Sequence, residues 1–179
     1  EEELSARNER DIASKTRQAR FPFVKTLDQF DFSFQPSVNE KQVRQLATMS
    51  FVAHGENVLL LGPPGVGKTH LAIALGMAGI MQGMSVTFLN MVDLLEQIAR
   101  DAKADKLTQR LQLLGRPKLL IIDEMGYFQL DQRAGQFLFQ LVSRRYQKGS
   151  IILTSNKSFA DWGEIFSDTV LATALLDRL

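Results

Sequence analysis

The sequence feature that most constrains the fold is the glycine-rich stretch "GPPGVGKT", residues 62–69. It follows an apolar run, "NVLLL" at 57–61, and opens a helical pattern that predicts a helix over 68–82. The stretch satisfies G-x-x-x-x-G-K-[ST] between a buried strand and a helix, which is the setting of a P-loop. A strand that leads into a helix through such a loop is typical of an α/β domain built on a parallel sheet.

The residue types of this loop predict phosphate binding. Glycines let successive backbone N–H groups point at a phosphate, and the helix N-terminus adds positive potential. Lys68 would reach the β and γ oxygens of ATP, and Thr69 would ligate Mg²⁺. The alternative is a chance glycine-rich turn without a ligand. The predicted nucleotide-binding residues are Gly62, Pro63, Pro64, Gly65, Val66, Gly67, Lys68, Thr69 and His70.

Further apolar runs alternate with helical patterns along the chain. Because these strands are apolar on both faces, they predict a parallel sheet flanked by helices on both sides. Asn39 is a predicted N-cap, and the stretch "EKQVRQLATMSFVA", residues 40–53, is expected to begin the first helix of the domain, with Val43, Leu46, Ala47 and Phe51 at helical spacing. The other predicted strands are 85–89, 118–123 and 150–154, and the other predicted helices are 91–103, 106–114 and 131–147.

Two of the predicted strands end in polar residues. "KLLIIDE" ends in Asp123 and Glu124, and "IILTSN" ends in Asn156, at the sheet edge where parallel α/β proteins bind ligands. Asp123 would share the Mg²⁺ site with Thr69, and Glu124 would orient and deprotonate the attacking water. Asn156 would hold that water or sense the γ-phosphate. The alternatives are a helix-capping turn for the carboxylates and an ordinary turn for Asn156.

A small formal net charge of +1 conceals a basic N-terminal arm. Residues 5–25 carry six basic side chains against two acidic ones, in an exposed helix or mobile arm without a continuous apolar stripe. Such cationic density can follow a DNA backbone, although a solvated helix with no ligand is the alternative. The candidate DNA contacts are Arg7, Arg10, Lys15, Arg17, Arg20 and Lys25.

Composition excludes several classes of protein. The sequence has no cysteine and two histidines, which excludes a disulfide framework and disfavours a zinc site. No apolar run is long enough for a transmembrane helix, so we expect a cytoplasmic protein without membrane contacts. The first residue is not Met and the last lies in a helical pattern, so we expect the chain to continue beyond both ends.

Several longer stretches resemble the DnaC/IstB group of AAA+ ATPases, and within it the IstB-like transposition helpers. They are "FPFVKTLDQFDF", "GPPGVGKTHLAIALG", "LIIDEMGY" and "SNKSFADWGEIFSDTVLATALLDRL". The resemblance implies an AAA+ P-loop core whose fifth strand lies beyond the chain end. It divides the chain into a basic arm, 1–26, and an ATPase domain, 27–179, that is truncated at its C-terminus.

The resemblance also implies roles for individual residues. Lys68 and Thr69 match the Walker A motif, Asp123 and Glu124 the Walker B motif, and Asn156 the sensor 1 position. Arg178 matches the arginine finger that such proteins insert into the nucleotide site of a neighbouring subunit. A guanidinium there stabilises charge on the transferred phosphoryl group. Without the resemblance, Arg178 would be an ordinary solvent-facing residue.

The implied function is an ATP-dependent regulator that oligomerises through the ATP site on duplex DNA and assists a partner transposase. One alternative is a DnaC-like helicase loader that binds single-stranded DNA and a helicase. Another is a binding module in which nucleotide is only structural.

Two groups of residues outside the motifs keep open interpretations. Arg144 and Arg145 either complement a helix C-terminus or lie at a subunit contact. For Phe30, Phe32 and Phe34 we favour burial against the domain over stacking on bases.

Overall fold

The computed structural model describes residues 2–179, and Glu1, the first residue of the predicted arm, lies outside the described residues. The helices are α1 (Glu2–Ala19), α2 (Glu40–Leu46), α3 (Ser50–Ala53), α4 (Lys68–Met81), α5 (Met91–Lys103), α6 (Leu107–Leu114), α7 (Gln132–Arg145), α8 (Trp162–Ile165) and α9 (Thr169–Leu176). The strands are β1 (Val58–Leu61), β2 (Val86–Asn90), β3 (Leu119–Met125) and β4 (Ser150–Ser155). Within the described residues, no helix combines the length and the apolar character needed to cross a bilayer.

The four strands form one parallel sheet in the order β1-β4-β3-β2. Ile121 of β3 pairs with Ile152 of β4, and both side chains are fully buried, as expected for strands covered on both faces. The predicted α/β fold with a parallel sheet is therefore confirmed. The fifth strand stays a prediction.

Helices cover both faces of the sheet. α1, α3 and α4 pack on one face, around buried residues such as Ile73 and Leu75. α5 to α9 pack on the other face, where Leu94, Leu141 and Trp162 are among the buried residues. α4 is buried along most of its length because it lies between the sheet and α1. This position fixes the N-terminus of α4, and with it the glycine-rich loop, against the sheet edge.

The basic arm is a helix that lies against the domain. Ala19 is fully buried, and Ile12 and Thr16 are partly buried at the same face of α1. The ammonium of Lys15 donates to the Gly83 carbonyl over 3.0 Å and to Asp11 over 2.6 Å. The expectation of an exposed or mobile arm is wrong along this face. Ile12, Thr16 and Ala19 are spaced by four and three residues, so they share one face of α1 and dock it on the domain without forming a long apolar stripe.

The segment after Asn39 differs from the single predicted helix. The Asn39 side chain caps α2 by accepting from the Gln42 amide over 3.1 Å, as predicted. The helix then stops, because Met49 adopts a left-handed conformation with φ of 61°, and α3 begins at Ser50. The break is compatible with burial of both Met49 and Phe51, which are 1% and 3% exposed.

The linker between α1 and α2 packs unevenly. The rings of Phe30 and Phe32 are partly buried and meet edge to face with centroids 4.8 Å apart. Phe34 is 76% exposed, so its predicted burial is wrong. Phe30 packs against His70 of α4 and Phe32 lies under Arg44 of α2, whereas Phe34 ends a turn over residues 32–34.

Candidate functional site

A cavity of about 310 Å³ lies at the carboxyl edge of the sheet. The N-terminus of α4 and the ends of β3 and β4 converge on it. Parallel strands place their terminal side chains at this edge, where open α/β proteins bind their ligands. The cavity is lined by Pro64, Gly65, Gly67, Lys68, Thr69, Glu124, Tyr127, Thr154, Ser155 and Asn156.

Backbone geometry explains the glycines of the loop. Gly65 and Gly67 have φ of 81° and 90°, in the left-handed region that favours glycine. Gly67 also lies under the ring of Phe30, so a Cβ there would be only 2.7 Å from that ring. The Gly62 amide donates to the Ser155 carbonyl over 3.1 Å and ties the start of the loop to β4. The linker and the sheet therefore hold the loop from two sides.

Lys68 is bound inside its own loop. Its ammonium donates to the carbonyls of Gly62 and Pro63, both over 2.7 Å. Burial lowers the pKa of Lys68, and the negative charges of Asp123 and Glu124 oppose that shift. A cation with two backbone partners at the mouth of the cavity can exchange them for phosphate oxygens, which are stronger acceptors.

Asp123 is a buried carboxylate held by hydroxyl groups. It is 3% exposed, and its Oδ1 accepts from Thr154 Oγ1 over 2.6 Å. Thr69 Oγ1 lies 3.0 Å from both carboxylate oxygens. Burial raises the pKa of Asp123, although the hydroxyl bonds from Thr154 and Thr69 oppose the shift.

Glu124 has a different environment although it is the next residue. Its side chain is exposed and its backbone is left-handed, with φ of 63°. The Asn90 amide donates to Glu124 Oε2 over 2.6 Å. Asn90 also caps α5, because its Oδ1 accepts from the Val92 amide over 2.9 Å. The carboxylate therefore lines the cavity from β3 and is held in position by Asn90 at the end of β2.

Asn156 places a polar atom at the end of β4. Its Oδ1 is buried and has no hydrogen-bond partner within the described part of the chain. Buried amide oxygens in proteins are normally hydrogen-bonded, so this atom is suited to a water or a ligand in the cavity.

The donor set fits Mg²⁺ bound together with phosphate. Thr69 and Asp123 place hydroxyl and carboxylate oxygens side by side, the hard ligands that Mg²⁺ prefers. Residues 2–179 hold no group of three or more His, Cys, Asp or Glu side chains suited to a metal. A metal at this position would therefore take most of its ligands from phosphate and water, as Mg²⁺ commonly does at nucleotide sites.

The remaining residues of the predicted loop site lie beside the cavity. Gly62, Pro63 and Val66 line an adjacent groove of about 610 Å³ along β1. The His70 side chain points toward the linker, with Nε2 3.2 Å from the Thr26 carbonyl oxygen and its ring against Phe30.

Arg178 does not line the cavity of its own chain. Its guanidinium lies 4.7 Å from the ring centroid of Phe139 and donates to Ser143 Oγ, both on α7. Its carbonyl and that of Leu179 accept from the Asn57 amide over 3.4 and 3.1 Å, beside the start of β1. Lys68, Thr69, Glu124 and Asn156 therefore line one cavity, Asp123 is bonded to Thr69 beside it, and Arg178 lies apart from them.

Adjacent Arg144 and Arg145 have different environments. Arg144 is exposed, whereas Arg145 is 1% exposed and donates to the carbonyls of Leu114, Lys118 and Ser150. Arg145 thus ties the end of α6 to the starts of β3 and β4. This burial is incompatible with a subunit contact by Arg145.

The six candidate DNA contacts occupy different positions. Arg7, Arg10 and Arg17 are exposed and lie on the side of α1 opposite the docked face. Lys15 is on the docked side and is already paired with Asp11. Arg20 and Lys25 are exposed residues that follow the helix.

Two residues at the cavity edge, Thr154 and Asn90, were not predicted from the sequence. Thr154 is the last residue of the largely apolar predicted strand "SIILT" and looks like part of its buried run. Asn90 follows the rule used for Asp123, because it is a polar residue at the carboxyl end of a buried parallel strand. That rule, applied to every strand, would have found Asn90.

The whole chain, residues 1–179, matches the family of IstB-like ATP binding proteins. The chain belongs to this family. An insertion sequence IS21 protein from Pseudomonas aeruginosa, assigned as ATP-binding, is 51% identical over the whole chain, which spans 68% of that protein. A counterpart from insertion sequence IS5376 of Geobacillus stearothermophilus is 49% identical, and the chain spans 71% of it. Membership in this family supports ATP as the ligand of the cavity.

Solved structures similar to this IstB-like chain are AAA+ proteins. The DnaC helicase loader matches 77% of the chain and 83% of its own, with a TM-score of 0.64 and 22% identity. Nucleotide-bound DnaA from Aquifex aeolicus matches 87% of the chain and 48% of its own, with a TM-score of 0.73 and 19% identity. At these identities the likeness establishes the AAA+ fold alone.

Proposed function

We propose that this IstB-like protein is a Mg²⁺-dependent ATPase that assembles on duplex DNA and assists a partner transposase in insertion-sequence transposition. The observation that carries the proposal is the convergence of Lys68, Thr69, Glu124 and Asn156 on one cavity, with the buried carboxylate of Asp123 bonded to Thr69 beside it. Hydrolysis then serves as a switch for assembly. The insertion-sequence family of the chain supports the transposition context.

Each residue of the cavity has a role in this proposal. Lys68 exchanges its two loop carbonyls for the β and γ oxygens of ATP. Thr69 and Asp123 would hold Mg²⁺, which when bound would supply positive charge to the transferred phosphoryl group. Glu124, oriented by Asn90, accepts a proton from the attacking water. Asn156 Oδ1 supplies an acceptor for that water at the end of β4.

Arg178 completes the site from a neighbouring copy. In its own chain Arg178 follows α9 and packs against Phe139 of α7, away from the cavity-lining residues, and it is exposed. An exposed guanidinium on the rim of the domain is available to a second copy of the chain. Supply in trans makes hydrolysis depend on assembly, and such a finger increases the rate roughly 10³- to 10⁵-fold in known cases.

The outward face of α1 is proposed to contact DNA phosphates. Arg7, Arg10 and Arg17 project from a helix that is docked on β2 and α4 by its opposite side. A docked helix presents these guanidinium groups at fixed spacing. Phosphate contacts carry no base information, so binding should be salt-dependent and weakly sequence-selective.

Nucleotide-dependent assembly on DNA tests the proposal. Sedimentation of the protein with duplex or single-stranded DNA, in ATP with Mg²⁺ or in EDTA, should show large complexes with duplex and Mg-ATP only. Lys68→Ala should abolish them. A preference for single strands would favour a helicase loader, and Mg-ATP binding without turnover or assembly would favour a structural role of the nucleotide.

The proposed DNA face is tested separately by charge removal. Arg10→Gln should weaken DNA binding at all sequences. The slope of log K against log salt concentration should become about one unit less steep, because one phosphate contact is lost. Lys148→Gln removes an exposed cation elsewhere and should leave binding unchanged. Equal effects of the two variants would contradict a specific role for α1.

Mixing two inactive variants tests the supply of Arg178 in trans. Arg178→Ala should bind nucleotide normally but turn over slowly, as should Glu124→Gln. A mixture pairs an intact cavity with an intact Arg178 and should recover part of the phosphate release. No recovery at any mixing ratio would count against action between copies.

A further inference from the structure

We infer that Thr154 is a positioning residue whose single hydroxyl sets the placement of both acidic residues of the cavity, Asp123 and Glu124. This inference deepens the proposed function and rests on it. Thr154 has no predicted role, because it ends the largely apolar stretch "SIILT" just before Ser155 and Asn156.

The pairing of β3 with β4 changes register at this residue. Residues pair regularly from Leu119 with Ser150 to Ile122 with Leu153. The next pair along the strands is Met125 with Ser155. Asp123 and Glu124 of β3 therefore both face the single residue Thr154 of β4. Two residues opposite one define a β-bulge, and bulges re-aim the side chains at which they occur.

The bulge is what separates the two carboxylates. Asp123 remains buried, whereas Glu124 turns out toward the cavity with φ of 63°. A left-handed conformation is unfavourable for a residue with a Cβ and persists only when its surroundings hold it. The Glu124 amide has lost its regular ladder partner at this position, so another acceptor is needed.

Thr154 supplies that acceptor and a donor at the same time. Its Oγ1 donates its only hydrogen to Asp123 Oδ1 over 2.6 Å, since an ionised carboxylate can only accept. A lone pair of the same oxygen then accepts from the Glu124 amide over 2.9 Å. Thr154 is 1% exposed, so water does not compete for either bond. One atom therefore links the proposed metal ligand to the backbone of the proposed base.

An isosteric substitution isolates the hydroxyl. Thr154→Val keeps the volume and branching of the side chain and removes both hydrogen bonds. Affinity for a fluorescent ATP analogue in EDTA should stay within about twofold. The factor by which Mg²⁺ increases nucleotide affinity should fall roughly 10- to 100-fold, and so should kcat at saturating Mg-ATP. This range is expected when a residue that hydrogen-bonds to a metal ligand is changed. Thr154→Ser keeps the hydroxyl and should restore both.

A matched control separates positioning from simple destabilisation. Ser150 is a fully buried hydroxyl residue at the other end of the same strand, where its Oγ lies 3.5 Å from the Phe51 carbonyl. Ser150→Ala should reduce thermal stability without changing the Mg²⁺ dependence of nucleotide binding. If Thr154→Val does not fold, Thr154→Ala provides the same comparison.

The possible outcomes are distinct. Wild-type protein without Mg²⁺-dependent nucleotide binding would refute the proposed function itself. With wild type behaving as proposed, unchanged Mg²⁺ dependence and kcat in Thr154→Val would overturn the inference. Equal loss in the Ser and Val variants would overturn it too, because the hydroxyl would then not be the group that matters.

Discussion

Asp123 and Arg145 are two charged side chains buried to nearly the same degree at opposite ends of β3 and β4. Asp123 is 3% exposed at the carboxyl end, and Arg145 is 1% exposed at the amino end. Asp123 is held by side-chain hydroxyls of Thr69 and Thr154. Arg145 is held by three backbone carbonyls, at 2.9, 3.3 and 2.9 Å.

The type of partner determines what each charge can do. A hydroxyl can rotate and change partners when a ligand arrives, whereas a backbone carbonyl is fixed by its helix or strand. Burial raises the pKa of Asp123 and lowers the pKa of Arg145 to about 10, so both charges carry a desolvation cost. Asp123 lies next to a cavity and Arg145 does not. The buried charge at the carboxyl end of the strands is therefore suited to ligand binding, whereas the buried charge at the amino end holds α6, β3 and β4 together.

Removing the charge of Asp123 should give the largest effect, and it should fall on activity. Asp123→Asn is expected to reduce phosphate release roughly 1,000-fold, since loss of a ligand should exceed the 10- to 100-fold typical of outer partners. The free energy of unfolding should change by less than about 1 kcal/mol or increase, because a buried negative charge is removed. Steady-state kinetics and chemical denaturation measure the two quantities. A large loss of stability with normal turnover would show that Asp123 has the structural role expected of Arg145.

Removing the charge of Arg145 should act on stability instead. Arg145→Met removes a donor from three carbonyls, of which that of Lys118 keeps its bond from the Ser150 amide, and is expected to lower the free energy of unfolding by about 3 kcal/mol. Nucleotide affinity of the folded fraction should stay normal. Arg144→Met changes the exposed neighbour and should alter stability by less than about 0.5 kcal/mol. Equal effects of the two variants in urea denaturation would show that burial of Arg145 is not what matters.

Arg145→Lys asks whether charge or hydrogen-bond geometry is decisive. An ammonium keeps the charge but cannot reproduce the planar array of donors of a guanidinium. We expect a loss of about 1–2 kcal/mol, which corresponds to one unsatisfied carbonyl. The measurement is the same urea titration. A stability equal to that of the unsubstituted protein would mean that the charge alone holds the three carbonyls.

A partly exposed pair, Asp101 with Arg110, provides the smallest effect. The Arg110 hydrogen bond over 2.6 Å is the main cause of a lowered pKa of Asp101. A carboxylate whose pKa is lower in the folded state stabilises the folded protein fully at pH values above 3.8, its ordinary pKa. This stabilisation is lost as the pH falls through the folded-state pKa. Asp101→Asn should therefore cost about 0.5 kcal/mol near neutral pH and progressively less as the pH falls below 3.8.

The contrast with the exposed pair Lys157–Glu164 is a control for this last experiment. Glu164 has 70% of its side chain exposed, so Glu164→Gln should have no measurable effect at either pH. A constant difference between Asp101→Asn and wild type from pH 7 to pH 2 would contradict the electrostatic explanation.

Much of the site could be predicted from the sequence because its signals are local. The loop at 62–69 contains its own glycines, lysine and threonine, and the strands around it are continuous apolar runs. Parallel strands share one carboxyl edge, so polar residues at strand ends are brought together by topology alone. The same topology predicts that Lys68, Thr69, Asp123, Glu124 and Asn156 lie close together, and four of them line one cavity, with Asp123 bonded to Thr69.

Only the tertiary structure decided which side chains hold that site in place. The bulge opposite Thr154, the burial of Arg145 and the docking of α1 depend on contacts between residues far apart in the chain. A hydroxyl in an apolar strand or an arginine at a helix end looks ordinary in the sequence, because its partners are backbone atoms of other elements. The sequence determined the chemistry available at the sheet edge, and long-range packing determined the positions from which that chemistry acts.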